Sequence, residues 1–231
     1  MLILRLFIGF LSGYVIDAIS HIYMEYLNNN DNITKIHFIK ELYLITKKKL
    51  FLSSSHMILS CICYLLLCCN YECKLWQIPV VFCFCASLLM IAYIDMKTML
   101  IPNQLLYVLS LFGIVFFFQP LACSLEQRFF GAAAVSGFMS LVNLLHHDSF
   151  GLGDIKLMLI CGFLLGVNCV LVAMLLAILC GGCYGICLLL ANKTKAHSHI
   201  AFAPFLCSAL ILSLLFANEL ISAYMALLYH L

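Results

Sequence analysis

Long apolar blocks alternate with short polar segments along the chain, and these blocks set the expected architecture. Most of them run for about twenty residues, the length with which an α-helix crosses ~30 Å of hydrocarbon. The least distinct boundary lies near Val167 and Asn168, and the tail 221–231 is too short to cross alone. The pattern predicts an all-α polytopic membrane protein, a single domain over 1–231, with about eight transmembrane helices, seven or nine being the alternatives: 2–19, 52–70, 75–94, 104–122, 128–146, 154–167, 169–191 and 200–217.

The amino-acid composition argues against a water-soluble protein. Of the 231 residues, 65% are hydrophobic and 10% are charged, whereas soluble domains are roughly half apolar and a quarter charged. The formal net charge of +2 and the absence of a clustered basic face argue against a nucleic-acid partner. Most of the 14 cysteines lie in apolar blocks, where a thiol normally packs as a small hydrophobic group.

The distribution of lysine and arginine predicts the orientation, because cytoplasmic loops are enriched in these residues. The polar segment 20–51 would be a cytoplasmic loop between the first two helices. Only Arg5, Lys74 and Arg128 fall at the opposite ends of the helices. The other nine of the twelve basic residues share the cytoplasmic side: Lys35, Lys40, Lys47, Lys48, Lys49, Lys97, Lys156, Lys193 and Lys195.

Two aspartates stand at the ends of predicted helices, on the predicted cytoplasmic side. Asp95 closes the third helix and Asp154 opens the sixth. Charged groups at a bilayer are costly and often functional. The N-terminal end of a helix dipole favours an anion at Asp154, whereas Asp95 lies at a C-terminal end. If the two carboxylates face each other, they can share a proton and act on water and a carbonyl, as in aspartic proteases.

Each aspartate also has an ordinary structural interpretation. Asp154 could cap its helix, and Asp95 could be an interfacial charge screened by Lys97. A cap requires neither the glycines at 151 and 153 nor the Ile-Pro-Asn turn at 101–103. These flanking residues favour a functional pair.

Two motifs resemble those of bacterial type IV prepilin leader peptidases, a family of GxGD intramembrane aspartyl proteases. The segment 95–103, Asp-Met-Lys-Thr-Met-Leu-Ile-Pro-Asn, is similar to the family's aspartate motif with its Pro-Asn ending. The segment 151–157, Gly-Leu-Gly-Asp-Ile-Lys-Leu, is similar to its Gly-x-Gly-Asp motif. A looser similarity covers 200–206, Ile-Ala-Phe-Ala-Pro-Phe-Leu, and the glycines of the first helix.

The resemblance implies a function and a set of site residues. Asp95 and Asp154 would be catalytic, with Gly151, Gly153, Lys97, Lys156, Pro102 and Asn103 as supporting motif residues. The substrate would be a type IV prepilin or pseudopilin, cut at its leader peptide on the cytoplasmic side of the bacterial inner membrane. Membrane lipid is the other expected partner, the oligomeric state is open, and no metal or other cofactor is expected.

One difference from the family pattern affects a second activity. Many bacterial members carry a cytoplasmic domain with two CxxC pairs after the first helix, associated with N-methylation of the new pilin terminus. The segment 20–51 contains no cysteine, so a zinc site of cysteine ligands is excluded there. We expect peptidase activity and regard N-methyltransferase activity as doubtful.

Two alternatives remain from the sequence. The chain could be a GxGD protease with another membrane substrate, or a small transporter that uses paired carboxylates as a cation or proton relay. Relay carboxylates usually lie near the middle of the membrane, whereas these lie at helix ends. His146, His147 and Asp148 could form a metal or relay cluster, but polar residues are also ordinary in an interfacial loop.

Overall fold

The computed structural model describes residues 77–118, 123–146, 149–191 and 201–229, and all regular structure in these ranges is α-helical. The prediction of an all-α fold is confirmed for these ranges. The predicted helices 2–19 and 52–70 and the predicted loop 20–51 lie outside the described residues, so the total of about eight helices stays a prediction. The described helices are α1 (Gln77–Thr98), α2 (Asn103–Phe118), α3 (Leu125–Leu145), α4 (Leu152–Leu165), α5 (Val167–Leu190) and α6 (Ala203–Tyr229).

Three of these helices are long and apolar enough to cross a bilayer. They contain the segments Val80–Thr98, Leu125–Leu145 and Val167–Leu190. Shorter apolar helical stretches cover Asn103–Phe112 and Ala203–Phe216. Many large apolar side chains on these helices are exposed, as expected of surfaces that face lipid rather than water. The protein is therefore a membrane protein.

Two breaks in regular helical geometry lie at Gly166, between α4 and α5, and at Phe216, within α6. Gly166 separates α4 from α5 with φ 83° and ψ 171°, a conformation that glycine adopts without the cost of a Cβ. The predicted break near Val167 therefore lies within two residues of the observed one. The tail beyond residue 217 continues α6 across a kink at Phe216, where φ is −133°.

The described chain divides into two compact units, Met1–Met90 and Ile91–Leu231, with the division inside α1. Within the second unit, α4 is the central helix, because it contacts α2, α3, α5 and α6. Its buried side chains share one face of the helix: Asp154, Leu157, Met158, Cys161, Leu164 and Leu165. Asp154 begins this buried face, so a polar group lies at the end of an otherwise apolar packed surface.

Close approach of α3 and α4 depends on two facing glycines. A Cβ added at Gly131 would lie 2.6 Å from the carbonyl oxygen of Gly162, and one added at Gly162 would meet the backbone of Gly131 in turn. Small residues at such positions let helix backbones come together in membranes, where close packing drives association. Arg128 of α3 completes this contact, because its guanidinium donates to the carbonyl oxygen of Leu164 at the end of α4 (3.4 Å).

Candidate active site

Asp95 lies in the last turn of α1, and the turn that follows is set by local backbone geometry. Its carbonyl oxygen accepts from the backbone N–H of Met99 (2.8 Å), which has φ 53° and ends the helix. Pro102 then precedes α2, and its carbonyl oxygen accepts from the N–H groups of Leu105 and Leu106. Proline suits this position, because it fixes φ and has no N–H to leave without a partner.

The Asp95 side chain is buried, with 6% of its surface exposed. Its Oδ2 accepts a hydrogen bond from the backbone N–H of Ala203, the first residue of α6, at 3.2 Å. The first N–H groups of a helix have no partner within the helix, and they carry its positive end. Asp95 therefore lies in the last turn of its own helix and also at the N-terminal end of another, an arrangement that the sequence alone does not predict.

Asp154 lies in the first turn of α4 and is 8% exposed. Gly151 is the N-cap residue, and its backbone forms a hydrogen bond with the Asp154 carboxylate. A Cβ on Gly151 would lie 3.1 Å from Oδ2 of Asp154, so a larger residue would crowd the carboxylate. Within the part of the chain that the structure describes, Oδ1 of Asp154 is buried and has no hydrogen-bond partner.

The two carboxylates lie close enough to interact electrostatically. Both also interact with the thiol of Cys207, which is buried one turn into α6. The site is therefore formed where the last turn of α1 and the N-terminal ends of α4 and α6 meet. Two buried carboxylates that interact in this way repel each other when both are charged, which is the condition for sharing a proton.

The supporting residues of the two motifs pack against each other. A Cβ on Gly153 would lie 2.8 Å from Cβ of Ile101, so the absence of a side chain at 153 lets α4 approach the turn before α2. Beside this contact, Nζ of Lys156 donates to Oδ1 of Asn103 at 3.1 Å. Lys97 is exposed in the last turn of α1.

The segment before Gly151 is held by residues that the sequence analysis did not select. The amide of Asn143 donates to the carbonyl oxygen of Phe150 and accepts from its N–H, both at 2.7 Å. The Phe150 ring packs on Phe202, with centroids 5.7 Å apart. The similarity at 200–206 gave a signal for Phe202, but Ala203 acts through its backbone, which its residue type does not reveal.

The histidine cluster is only partly described. His146 is exposed and ends α3, where its N–H donates to the carbonyl oxygen of Val142. His147 and Asp148 lie outside the described residues. Among residues 77–118, 123–146, 149–191 and 201–229, no group of three or more His, Cys, Asp or Glu side chains could hold a metal ion.

The part of the chain that contains both aspartates is similar to a known protein family. Residues 82–186, which include Asp95 and Asp154, match the model of the type IV leader peptidase family. This part of the chain is similar to that family. The expectation drawn from the two motifs is thereby confirmed at the level of the family.

Relatives named prepilin leader peptidase/N-methyltransferase extend the match. The Bacillus subtilis protein is 32% identical over 142 residues, which cover 61% of this chain and 57% of the relative. The Escherichia coli protein is 26% identical over 211 residues, covering 89% and 92%. The Pseudomonas aeruginosa protein is 27% identical over 157 residues, covering 65% and 53%. The chain thus spans little more than half the length of two of these three relatives.

No solved structure matches this chain. The positions of Asp95, Asp154 and the other motif residues are therefore those seen in this structure alone.

Proposed function

We propose that this protein is a membrane-embedded aspartic endopeptidase that removes the leader peptide of type IV prepilins or pseudopilins. The observation that carries the proposal is the interaction of two buried carboxylates, Asp95 and Asp154, from the two family motifs. The names of the relatives supply the substrate class. Asp95 and Asp154 are the catalytic residues of this proposal.

Peptide cleavage by such a pair needs one carboxylate to deprotonate a water and the other to protonate or polarise the scissile carbonyl. We assign the water to Oδ1 of Asp154, because this buried oxygen has no hydrogen-bond partner among the described residues. Oδ2 of Asp95 is occupied by the N–H of Ala203, which fixes that carboxylate. The proton that Asp154 takes from the water then passes to the leaving amine as the carbon–nitrogen bond breaks, and the proton lent to the carbonyl oxygen returns to the pair.

The proposed orientation places this site at the cytoplasmic side of the bacterial inner membrane. Lys97 and Lys156 lie near the site on α1 and α4, and positive residues favour the cytoplasmic face. Membrane lipid would surround the exposed apolar helix surfaces. The substrate would meet the site with its positively charged leader in the cytoplasm and its apolar helix in the bilayer.

N-methylation of the product is not part of the proposal. The relatives' names include this second activity, but segment 20–51 has no cysteine with which to form the CxxC zinc site associated with it. Full leader peptidase activity without methylation of the new N-terminus is the expected outcome.

Co-expression of this chain with a type IV prepilin tests the proposal directly. Wild type should shorten the prepilin by its leader on a gel, and Asp95→Asn and Asp154→Asn should each reduce cleavage by at least about 100-fold, since proton transfer by one positioned group contributes roughly 10²–10⁴. Glu126→Gln is the matched control, because Glu126 is an exposed carboxylate in the first turn of α3. It should cleave normally.

The same experiment separates the alternatives. An unshortened prepilin with wild-type protein inserted in the membrane would reject this substrate class. A proton or cation flux that requires Asp95 would then support the transporter. Full cleavage by either Asn variant would reject the catalytic pair.

A further inference from the structure

Two cysteine thiols lie at the opposite end of α4 from Asp154. Cys123 precedes α3, and Cys169 is in the first turn of α5. Both residues are partly buried and have free thiols. The leader-peptidase chemistry proposed above uses neither of them.

The turn between α4 and α5 brings these two cysteines together. Sγ of Cys123 donates to the carbonyl oxygen of Leu165 at 3.5 Å. It also lies 2.9 Å from the position that a Cβ on Gly166 would occupy. Cys169 follows Gly166 by a single helical turn of α5, whose first hydrogen bond runs from the N–H of Val170 to the carbonyl oxygen of Gly166 (3.2 Å).

The two thiols both lie near the turn at Gly166, as the short distance along α5 from Gly166 to Cys169 indicates. The Cys123 and Cys169 side chains are close enough to interact electrostatically. Cys123 reaches the turn because Gly166 has no side chain, so the glycine that breaks the helix also makes room for the sulfur.

The side of the membrane on which these two cysteines lie follows from the orientation given in the proposed function, and this inference rests on that proposal. If Asp95 and Asp154 face the cytoplasm, the start of α3 and the end of α4 face the extracytoplasmic side. Disulfides form and persist on that side of a bacterial membrane, whereas they are reduced in the cytoplasm.

We propose that Cys123 and Cys169 form a disulfide that links the segment before α3 to the first turn of α5. The two thiols lose two protons and two electrons as the sulfur–sulfur bond forms. A dithiol oxidase of the extracytoplasmic space accepts them through its own disulfide, which becomes two thiols. The link closes a loop that contains α3 and α4, the two helices whose backbones approach each other at Gly131 and Gly162.

The test uses the full-length protein in cells. Free thiols are blocked with N-ethylmaleimide in acid-quenched cells, the protein is reduced, and newly exposed thiols are labelled with a polyethylene-glycol maleimide that shifts the gel band. Wild type should carry two labels that both Cys123→Ser and Cys169→Ser remove. Cys180→Ser is the matched control, since Cys180 is exposed elsewhere on α5, and it should keep both labels.

Peptide mass spectrometry without reduction gives the deciding measurement. A cross-linked peptide pair containing Cys123 and Cys169 establishes the disulfide. If Cys123 and Cys169 are instead found in separate peptides, each alkylated, the disulfide is absent and the proposal is overturned. Neither readout depends on prepilin cleavage, so failure of the disulfide and failure of the proposed peptidase are distinguishable.

Discussion

Asp95 at the end of α1 accepts a hydrogen bond from the N–H of Ala203, the residue that begins α6 (3.2 Å). The bond joins residues far apart in sequence and places the carboxylate at the positive end of a helix dipole. It also fixes one oxygen of the proposed catalytic residue, leaving the side chain little freedom to rotate away from Asp154. The α6 N-terminus is therefore part of the site through its backbone.

Replacing the donor at Ala203 should weaken the site without altering any charged side chain. Ala203→Pro removes the N–H, and proline is well tolerated at the first position of a helix. Because a hydrogen bond to a charged group contributes ~1.5–3 kcal/mol, we expect cleavage to fall roughly 10- to 100-fold. Ala203→Gly keeps the donor and serves as the control. The measurement is the initial rate of prepilin cleavage by purified protein in detergent; equal rates for the two variants would contradict the role of this bond.

The bond between Lys156 and Asn103 (3.1 Å) joins the two motifs outside the carboxylate pair. Asn103→Leu removes the acceptor, whereas Asn103→Asp retains an oxygen for the ammonium group. Since the bond is exposed and a typical net contribution is ~0.5–1.5 kcal/mol, we expect about a 3- to 10-fold loss of cleavage rate for Asn103→Leu and near wild-type rates for Asn103→Asp.

A control on the same helix distinguishes this contact from a general effect on α2. Ser110→Ala removes an exposed hydroxyl that donates only to the carbonyl oxygen of Tyr107 within α2, and it should be neutral. If Asn103→Asp proved as impaired as Asn103→Leu, the amide would have a role other than accepting from Lys156.

Metal chelation should leave cleavage unchanged. The proposed chemistry needs two carboxylates and water, and the described residues contain no cluster of metal-ligating side chains. EDTA and 1,10-phenanthroline should therefore give the same rate as buffer alone, with a zinc protease in the same detergent as the positive control. Inhibition that added zinc reverses would require a metal site and would direct attention to His146 and its neighbours.

The elements that the sequence predicted best are those with a local physical signal. The predicted helix 128–146 matches α3, which begins with a reciprocal capping interaction between Ser124 and Gln127. The break predicted near Val167 and Asn168, the least distinct in the sequence, lies within two residues of Gly166. Both aspartates were selected because charge in an apolar environment is conspicuous.

Contacts that depend on tertiary structure could not be predicted in this way. The Ala203 N–H is present in every residue but proline, so nothing in the sequence marks it as the donor to Asp95. Asn143 lies near the C-terminal end of a predicted apolar helix, and its two bonds to Phe150 depend on how the next segment turns back. The sequence likewise assigned Asp95 to a helix C-terminus only, because the start of α6 reaches it through the fold.

Gly153 offers the sharpest test of how the two motifs are held together. Gly153→Ala places a Cβ 2.8 Å from Cβ of Ile101, so either the turn before α2 or the first turn of α4 must move. Overpacking of this kind costs ~1–3 kcal/mol, and the displacement acts one residue from Asp154. We expect at least a tenfold loss of cleavage rate.

Relief of the clash should recover activity. Ile101→Gly removes the atoms that the new Cβ meets, so the double variant Gly153→Ala, Ile101→Gly should cleave faster than Gly153→Ala alone. Gly137→Ala is the control for the substitution itself, because no atom lies within 4 Å of a Cβ at that position of α3. If Gly153→Ala matched Gly137→Ala in rate, the contact between α4 and the Ile-Pro-Asn turn would not set the position of Asp154.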